Sequence, residues 1–210
     1  MLDPASAYRI GLVSVVGLGV GAVAALAAIA FVDAVLWLNE ALLVSAYARA
    51  QYDAHPRLLN VATVLVPACG GLVVGLIVQR WVRERRGLGP PDAILIAQTR
   101  RPPPTFTSGL ASTTAALVSL GTGASVGQYG PLVYLGTIVG TAVGPLERHV
   151  PDLRAIAVAC GVASAIATAF NAPIAGLVFA HEVILRHYSL RAFAPVAVAA
   201  ATGHVVANVV

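Results

Sequence analysis

Three short stretches combine glycine or asparagine with proline in a chain otherwise rich in alanine, valine and leucine. They are GLGPP at 87–91, GQYGP at 127–131 and NAP at 171–173. Proline is favoured in the first turn of a helix, where its missing N–H would have no partner, so each stretch predicts a turn that opens a helix. Helix N-termini present unpaired N–H groups and a partial positive charge, and they bind anions. The chemistry predicted for this chain is therefore anion binding by backbone groups.

The composition predicts that these turns lie within a membrane. Of the 210 residues, 58% are hydrophobic and 10% are charged, whereas soluble domains carry roughly 25% charged residues. Residues 10–38 contain one acidic group, Asp33, and residues 58–79 contain no charge, so both segments are long enough and apolar enough to span a bilayer. After residue 86 the apolar segments are short and interrupted by Gly and Pro. Such breaks occur at membrane depth only inside protein or beside a water-filled cavity, and they indicate the solute path of a transporter or channel.

The basic residues predict the orientation of the chain. All 13 are arginine, and they lie at the ends of apolar segments, so the net charge of +4 indicates membrane topology and not nucleic-acid binding. Six flank one short segment: Arg80, Arg83, Arg85, Arg86, Arg100 and Arg101. The positive-inside rule makes this side cytoplasmic, and two helices return the chain to it, so we expect a cytoplasmic N-terminus. The first apolar run is too long for a cleaved signal peptide and is expected to stay as the first helix.

In order and spacing, the three stretches resemble motifs of the CLC family of chloride channels and proton-coupled anion transporters. The first half of that family carries G-S-G-I-P, G-R-E-G-P and a stretch close to F-N-A-P-L-A-G-I-L-F-x-x-E-E, matched here by residues 87–91, 127–131 and 170–183. The resemblance implies an all-α polytopic membrane fold with broken, re-entrant helices, in which two inverted repeats surround an anion path. It implies that residues 1–210 form the first repeat and that the second repeat is absent from this chain. It also implies a homodimer, with segments 173–184 and 192–206 as the dimer surface.

The same resemblance places the anion path and shows where this sequence departs from the family. The path residues are Gly87, Leu88, Gly89, Pro90, Pro91, Gly127, Gln128, Tyr129, Gly130 and Pro131. Leu88 replaces the serine whose hydroxyl donates to the anion. Tyr129 replaces the gating glutamate, and Val183, with Glu182 adjacent, stands at the second acid, a proton relay in the coupled transporters. Tyrosine is neutral at physiological pH, with an unperturbed pKa near 10. Both proton-handling carboxylates are thus missing, and we expect passive permeation of an anion such as chloride.

Two other membrane functions are alternatives to passive permeation. Two short patterns resemble enzyme or metal sites, but each lacks a feature that its site requires. The chain is also compatible with a proton-coupled chloride antiporter homologue, or with a non-transporting membrane half that needs a partner. Residues 123–127 match the G-x-S-x-G nucleophile elbow, with Ser125 and a histidine such as His204, but that elbow needs a preceding strand and none is predicted. His181, Glu182 and His187 suggest a zinc motif, but the histidines are six residues apart and the motif requires four.

The remaining small residues predict packing. Cys69 and Cys160 lie in separate apolar segments, a pattern of neither a disulfide framework nor a metal site, and we expect each to be a small residue that faces lipid or the core. Gly17, Gly19 and Gly21 resemble the small-residue contacts of membrane helices. We therefore predict no catalytic residue, no cofactor and no metal. An alanine-rich chain with arginine as its only basic residue fits a bacterial inner membrane, and its apolar end suggests part of a longer protein.

Overall fold

The structure, a computed structural model, describes residues 4–44, 56–99, 102–144 and 152–210. Every regular element in these ranges is helical, which confirms the predicted all-α fold. The α-helices are α1 Pro4–Asn39, α2 Pro56–Trp81, α3 Pro90–Gln98, α4 Phe106–Gly121, α5 Tyr129–Thr141, α6 Leu153–Phe170, α7 Pro173–Phe179 and α8 Leu190–Val209. Two π-helical turns, Glu40–Val44 and Ala180–Leu185, continue α1 and α7. Arg100 and Arg101 lie outside the described residues.

Helix lengths separate membrane-spanning elements from broken ones. Four described segments are long and apolar enough to cross a bilayer: Arg9–Leu43, Asn60–Trp81, Leu153–Phe170 and Arg191–Val209. The first two confirm the spans expected from residues 10–38 and 58–79. The helices that follow the three motifs are shorter, with 9 residues in α3, 13 in α5 and 7 in α7. Each is too short to span alone, as the glycine and proline punctuation predicts.

The chain divides into two compact units. The first contains residues 1–29, 88–103 and 129–210, and the second contains residues 30–87 and 104–128. In the first unit α6 is the central helix, and its residues 157–168 are all buried. Five of these residues are alanine, and all of the others except Ile166 are glycine, serine, threonine, cysteine or valine, so neighbouring helices approach α6 closely.

The contact between α5 and α6 is made by backbone. A Cβ built on Gly136 would overlap the carbonyl oxygen of Gly161, and one built on Gly161 would overlap the carbonyl oxygen of Gly136. One turn further along α5, a Cβ on Gly140 would lie 2.5 Å from the Cα of Val158. No side chain fits between the two helices at these points, so glycine sets how near α5 lies to α6.

The N-terminal part of α1 packs against α8 through two of the three predicted glycines. A Cβ on Gly17 would lie 2.8 Å from the carbonyl oxygen of Pro195, and one on Gly21 would lie 2.9 Å from the Cα of Ala199. Among the residues that the structure describes, none lies within 4 Å of a Cβ placed on Gly19. The predicted small-residue contact is confirmed for Gly17 and Gly21 and is wrong for Gly19, which lies on another face of the helix.

Hydroxyl groups add polar contacts between helices of this unit. Ser164 Oγ donates to the carbonyl oxygen of Gly21 at 2.6 Å, and Thr168 Oγ1 donates to that of Gly203 at 3.0 Å. Cys160 is buried in α6, with its Sγ 3.3 Å from the position of a Cβ on Gly17, and is a packing residue as expected. Small residues and buried hydroxyls together form an interior typical of membrane helices, which lack a hydrophobic driving force between them.

In the second unit, α4 packs on α2 and on the end of α1 in the same manner. A Cβ on Gly70 of α2 would overlap the Oγ1 of Thr122, and one on Gly121 would lie 2.5 Å from Cδ2 of Leu38. Cys69, next to Gly70, is exposed, as expected of a residue facing lipid.

Candidate anion site

The N-terminus of α3 is capped by its own carboxylate. Gly89 is the N-cap in extended backbone, and Pro90 and Pro91 are the first two helical residues, as predicted. The Oδ2 of Asp92 accepts the N–H of Gly89 at 3.0 Å, and Asp92 is only 6% exposed. Sequence reasoning did not include Asp92 in the site. An acid three residues after the cap is the capping-box pattern, and that signal identifies it.

The N-terminus of α5 begins earlier than proline alone indicates. The helix starts at Tyr129, two residues before Pro131. Gly127 has a φ of +76°, which glycine adopts readily, and it turns the chain into the helix. Pro131 is then the third helical residue, where its missing N–H is still one of the four without an intrahelical acceptor. Tyr129 is consequently the first residue of the helix and not part of the preceding turn.

These two helix starts are in contact within the first unit. A Cβ placed on Gly130 would lie 3.7 Å from Cδ of Pro90, which is ordinary van der Waals contact. The structure therefore brings the first and second motifs together at their helix N-termini. Leu88, just before α3, is buried and carries no hydroxyl. At the start of α3, Pro90 and Pro91 have no N–H, and the N–H groups of Gly89, Asp92 and Ala93 already donate to Asp92 or Gly89. The donors that this arrangement offers to an anion therefore lie on α5: the backbone N–H groups of its first turn and the phenol of Tyr129.

The third motif reaches Tyr129 through the C-terminal end of α7. The ring of Tyr129, which is 40% exposed, packs edge-on against Phe179, with centroids 5.5 Å apart and planes at 89°. Phe179 is the last residue of α7. Tyr129 is thus positioned by an aromatic contact that neither motif indicates. Tyr134, further along α5, is buried in the interior.

The N-terminus of α7 lies near the end of α8. Asn171, which ends α6 in the left-handed region at a φ of 51°, accepts a hydrogen bond from Nδ2 of Asn208 at 3.1 Å. Asn208 also donates to the carbonyl oxygen of His204 at 2.7 Å. Because α7 runs from Pro173 to Phe179, its start is about 9 Å of helix rise away from the end that meets Tyr129. Only two of the three predicted helix starts therefore meet.

Glu182, the acid next to the relay position Val183, is exposed and hydrogen-bonded to a nearby tyrosine. Val183 and Glu182 lie in the π-helical turn after α7, and Glu182 is exposed. The hydroxyl of Tyr188 donates to Oε1 of Glu182 at 3.0 Å. Desolvation, followed by this bond and the negative charge, raises the pKa of Tyr188. Glu182 is thus bonded to a residue of the following loop.

The two enzyme-like patterns do not form their sites. Ser125 follows helix α4 and not a strand, so the strand-to-helix turn of a nucleophile elbow is not present there. The imidazole Nδ1 of His181 lies 3.2 Å from the backbone oxygen of His187, and its ring stacks on Tyr188 at a centroid distance of 5.2 Å. Among the described residues, no group of three or more His, Cys, Asp or Glu side chains could hold a metal ion.

Comparison with curated proteins identifies relatives of this chain. A chloride channel protein described as ClcB-like from Ralstonia nicotianae is 32% identical over 159 residues, covering 69% of this chain and 35% of that protein. The voltage-gated ClC-type chloride channel ClcB of Escherichia coli is 28% identical over 163 residues, covering 73% of this chain and 38% of that protein. The chain thus spans little more than a third of the length of these relatives.

A solved structure and a family model agree with the relatives. The crystal structure of a slow cyanobacterial Cl⁻/H⁺ antiporter matches 99% of this chain and 47% of its own, with a TM-score of 0.80 and 22% sequence identity. That likeness shows the fold. The family model for the voltage gated chloride channel matches residues 70–210, which include all three motifs. The chain belongs to the voltage gated chloride channel family.

Proposed function

We propose that this chain supplies one repeat of an anion path and that the complete protein conducts chloride passively. The observation that carries the proposal is the placement of Tyr129 at the start of α5, partly exposed and packed on Phe179. The resemblance assigns this position to the gating carboxylate of the family. A phenol can donate its O–H to an anion, but it carries no charge that competes with chloride.

The side chain at the relay position, Val183, supports a chloride path without proton coupling. A proton relay needs a group that gains and loses a proton in the working pH range. Val183 has no such group, and the adjacent Glu182 is exposed and accepts the hydroxyl of Tyr188. With neither Tyr129 nor Val183 able to carry a proton readily, chloride movement has no coupled proton step in this half of the path.

The relatives support chloride as the anion and a longer functional unit. The proteins from Ralstonia nicotianae and Escherichia coli are named chloride channels, and this chain covers less than half of each relative and of the solved antiporter. We propose that a second repeat completes the path opposite α3 and α5. We further propose that two such proteins pair through 173–184 and 192–206 in a bacterial inner membrane, with the N-terminus in the cytoplasm.

The test is chloride flux in liposomes that contain the complete gene product. An outward chloride gradient should drive chloride efflux when a potassium ionophore balances charge, while a pH dye shows no proton movement. A pH gradient alone should likewise drive no chloride uptake. Proton movement against its own gradient, driven by chloride, would contradict passive conduction and favour the antiporter alternative. An absence of any chloride flux would favour a non-transporting role.

The carboxylate of Asp92 should weaken the binding of chloride in the proposed path. We expect Asp92→Asn to lower the half-saturating chloride concentration by about fivefold, because about 1 kcal/mol of repulsion between its carboxylate and an anion at the adjoining start of α5 is removed. The asparagine oxygen can still accept the N–H of Gly89, so thermal stability should change little. Chloride dependence of flux is the measurement.

The matched control for Asp92→Asn is Asp152→Asn. Asp152 is an exposed acid at the N-cap of α6, where its side chain makes no capping hydrogen bond. Removing its charge should leave the chloride dependence unchanged. Equal shifts in the two variants would show that overall charge, and not the α3 terminus, sets the affinity.

A further inference from the structure

A short basic segment closes the end of α2 in the second unit. Residues 80–86, here called the arginine loop, contain four exposed arginines: Arg80, Arg83, Arg85 and Arg86. Val82 is buried and anchors the segment, while Trp81 is 64% exposed. The loop therefore presents the indole of Trp81 and the guanidinium groups of Arg80, Arg83 and Arg85, while Nη1 of Arg86 donates to the carbonyl oxygen of Gly87 at 3.1 Å.

The arginine loop is held in a defined shape. The Oγ of Ser108 donates to Oε2 of Glu84 at 2.6 Å and accepts the backbone N–H of Arg83 at 3.0 Å. The N–H of Arg85 donates to the carbonyl oxygen of Val82 at 2.9 Å, and Arg85 has a φ of 51°, which is uncommon for a residue with a side chain. The loop is thus held by one backbone contact and one side-chain contact with Ser108 of α4 and by one turn of its own.

The same contacts leave the loop strongly positive. Glu84 is the one acid within residues 80–86, and its carboxylate is engaged by Ser108. Within the described ranges, no carboxylate is placed against Arg80, Arg83 or Arg85. Guanidinium groups bind phosphate bidentately, so the loop suits a phosphate or phosphodiester group.

The depth of the loop indicates where that phosphate lies. Trp81 ends the 22-residue apolar span Asn60–Trp81, and tryptophan is enriched where a span meets the headgroups. Phe106, at the start of α4 and two residues from Ser108, is also exposed, at 66%. Arg80 directly precedes Trp81, and Arg83, Arg85 and Arg86 follow it within five residues, which favours a position of the arginines at the level of the lipid headgroups.

We propose that the arginine loop binds the headgroup of an anionic phospholipid in the leaflet on its side of the membrane. The indole of Trp81 contacts the upper acyl chains and the guanidinium groups hold the phosphodiester. A lipid is favoured over a soluble phosphate because the exposed aromatic side chains beside the arginines suit an interface with acyl chains. The proposal does not depend on which anion the protein conducts.

Trp81 itself reports on the neighbouring lipid. The chain has two tryptophans, Trp37 and Trp81, so Trp37→Phe leaves a single reporter in the loop. The full chain is reconstituted in mixed phosphatidylcholine and phosphatidylglycerol, with bromine on the acyl chains of one lipid or the other. We expect brominated phosphatidylglycerol to quench Trp81 more strongly than brominated phosphatidylcholine at the same mole fraction. The relative affinity for phosphatidylglycerol should fall by about fivefold for each arginine removed in Arg83→Gln and Arg85→Gln, as about 1 kcal/mol per basic residue implies.

Two controls make the outcome decisive. The double variant Arg9→Gln/Arg191→Gln removes the same charge from exposed positions outside the loop and should preserve the preference at Trp81. The reverse reporter, with Trp81→Phe and Trp37 retained, should show no preference for phosphatidylglycerol. Equal quenching by both lipids at Trp81, or a preference that survives Arg83→Gln/Arg85→Gln, would overturn the proposal. A loss that is equally large in the control double variant would overturn it too, because it would reflect net charge alone.

Discussion

Replacing Tyr129 by glutamate should make chloride flux depend steeply on pH. The substituted carboxylate would begin α5 at the contact between the α5 and α3 helix starts, where a conducted anion would meet a like charge. At an effective dielectric constant of about 20, two unit charges 4 Å apart repel by about 4 kcal/mol, so flux at neutral pH should fall by at least about tenfold. Glutamate has an ordinary pKa of about 4.3. Flux should therefore recover as the pH falls through the pKa of the new carboxyl, since protonation removes its charge.

The control for this substitution separates charge from shape. Tyr129→Gln removes the ring and its contact with Phe179 but adds no titrating group, so its flux should show no comparable rise at low pH. The measurement is chloride efflux from liposomes at a series of pH values, equal on both sides. If Tyr129→Glu and Tyr129→Gln gave the same pH profile, residue 129 would not face the conducted anion.

Gly136→Ala should destabilise the protein more than its single methyl group suggests. The added Cβ would overlap the carbonyl oxygen of Gly161 and would lie 2.8 Å from the backbone N of Val162. Backbone cannot rotate away as a side chain does, so α5 has to move off α6. Overpacking of this kind costs about 3 kcal/mol, or roughly 6–12 °C in Tm for a chain of this size. Because Tyr129 begins the same helix, a shift of α5 should reduce flux as well.

Gly19→Ala provides the matched comparison. It adds the same methyl group within a long helix, but none of the described residues lies within 4 Å of the new Cβ. Alanine is the better helix former by about 1 kcal/mol, so stability should be unchanged or slightly increased. Thermal unfolding in detergent, followed by the loss of the monodisperse peak, compares the two variants. Equal Tm values would mean that α5 and α6 are not in backbone contact.

Local features of this protein followed from sequence because they depend on neighbouring residues. The two long spans were evident from uninterrupted apolar composition, and the starts of α3 and α7 from the prolines at Pro90 and Pro173. The start of α5 was displaced by two residues because Gly127, at positive φ, and not Pro131, determines where the turn ends. Side-chain identity also decided that neither residue 129 nor residue 183 carries a carboxylate.

The contacts that assemble the candidate anion site could not be predicted from the local sequence motifs. Phe179 lies 50 residues from Tyr129, and nothing in either motif specifies that their rings meet. The α7 helix meets Tyr129 through Phe179 at its C-terminal end and not through its start at Pro173. Proline marks where a helix begins, but the direction in which the helix then runs is set by packing.

The sequence by itself thus determined the two long membrane spans, the starts of α3 and α7, the family and the absence of a carboxylate at residues 129 and 183, all of which depend on residue type and short-range spacing. Only the tertiary structure decided that the starts of α3 and α5 are in contact and that Tyr129 packs against Phe179. Both contacts depend on where α5 lies, and Gly136 and Gly161 fix its position against α6 by letting backbone meet backbone. A glycine in a sequence shows that a close approach is possible, and the fold supplies the partner that makes it.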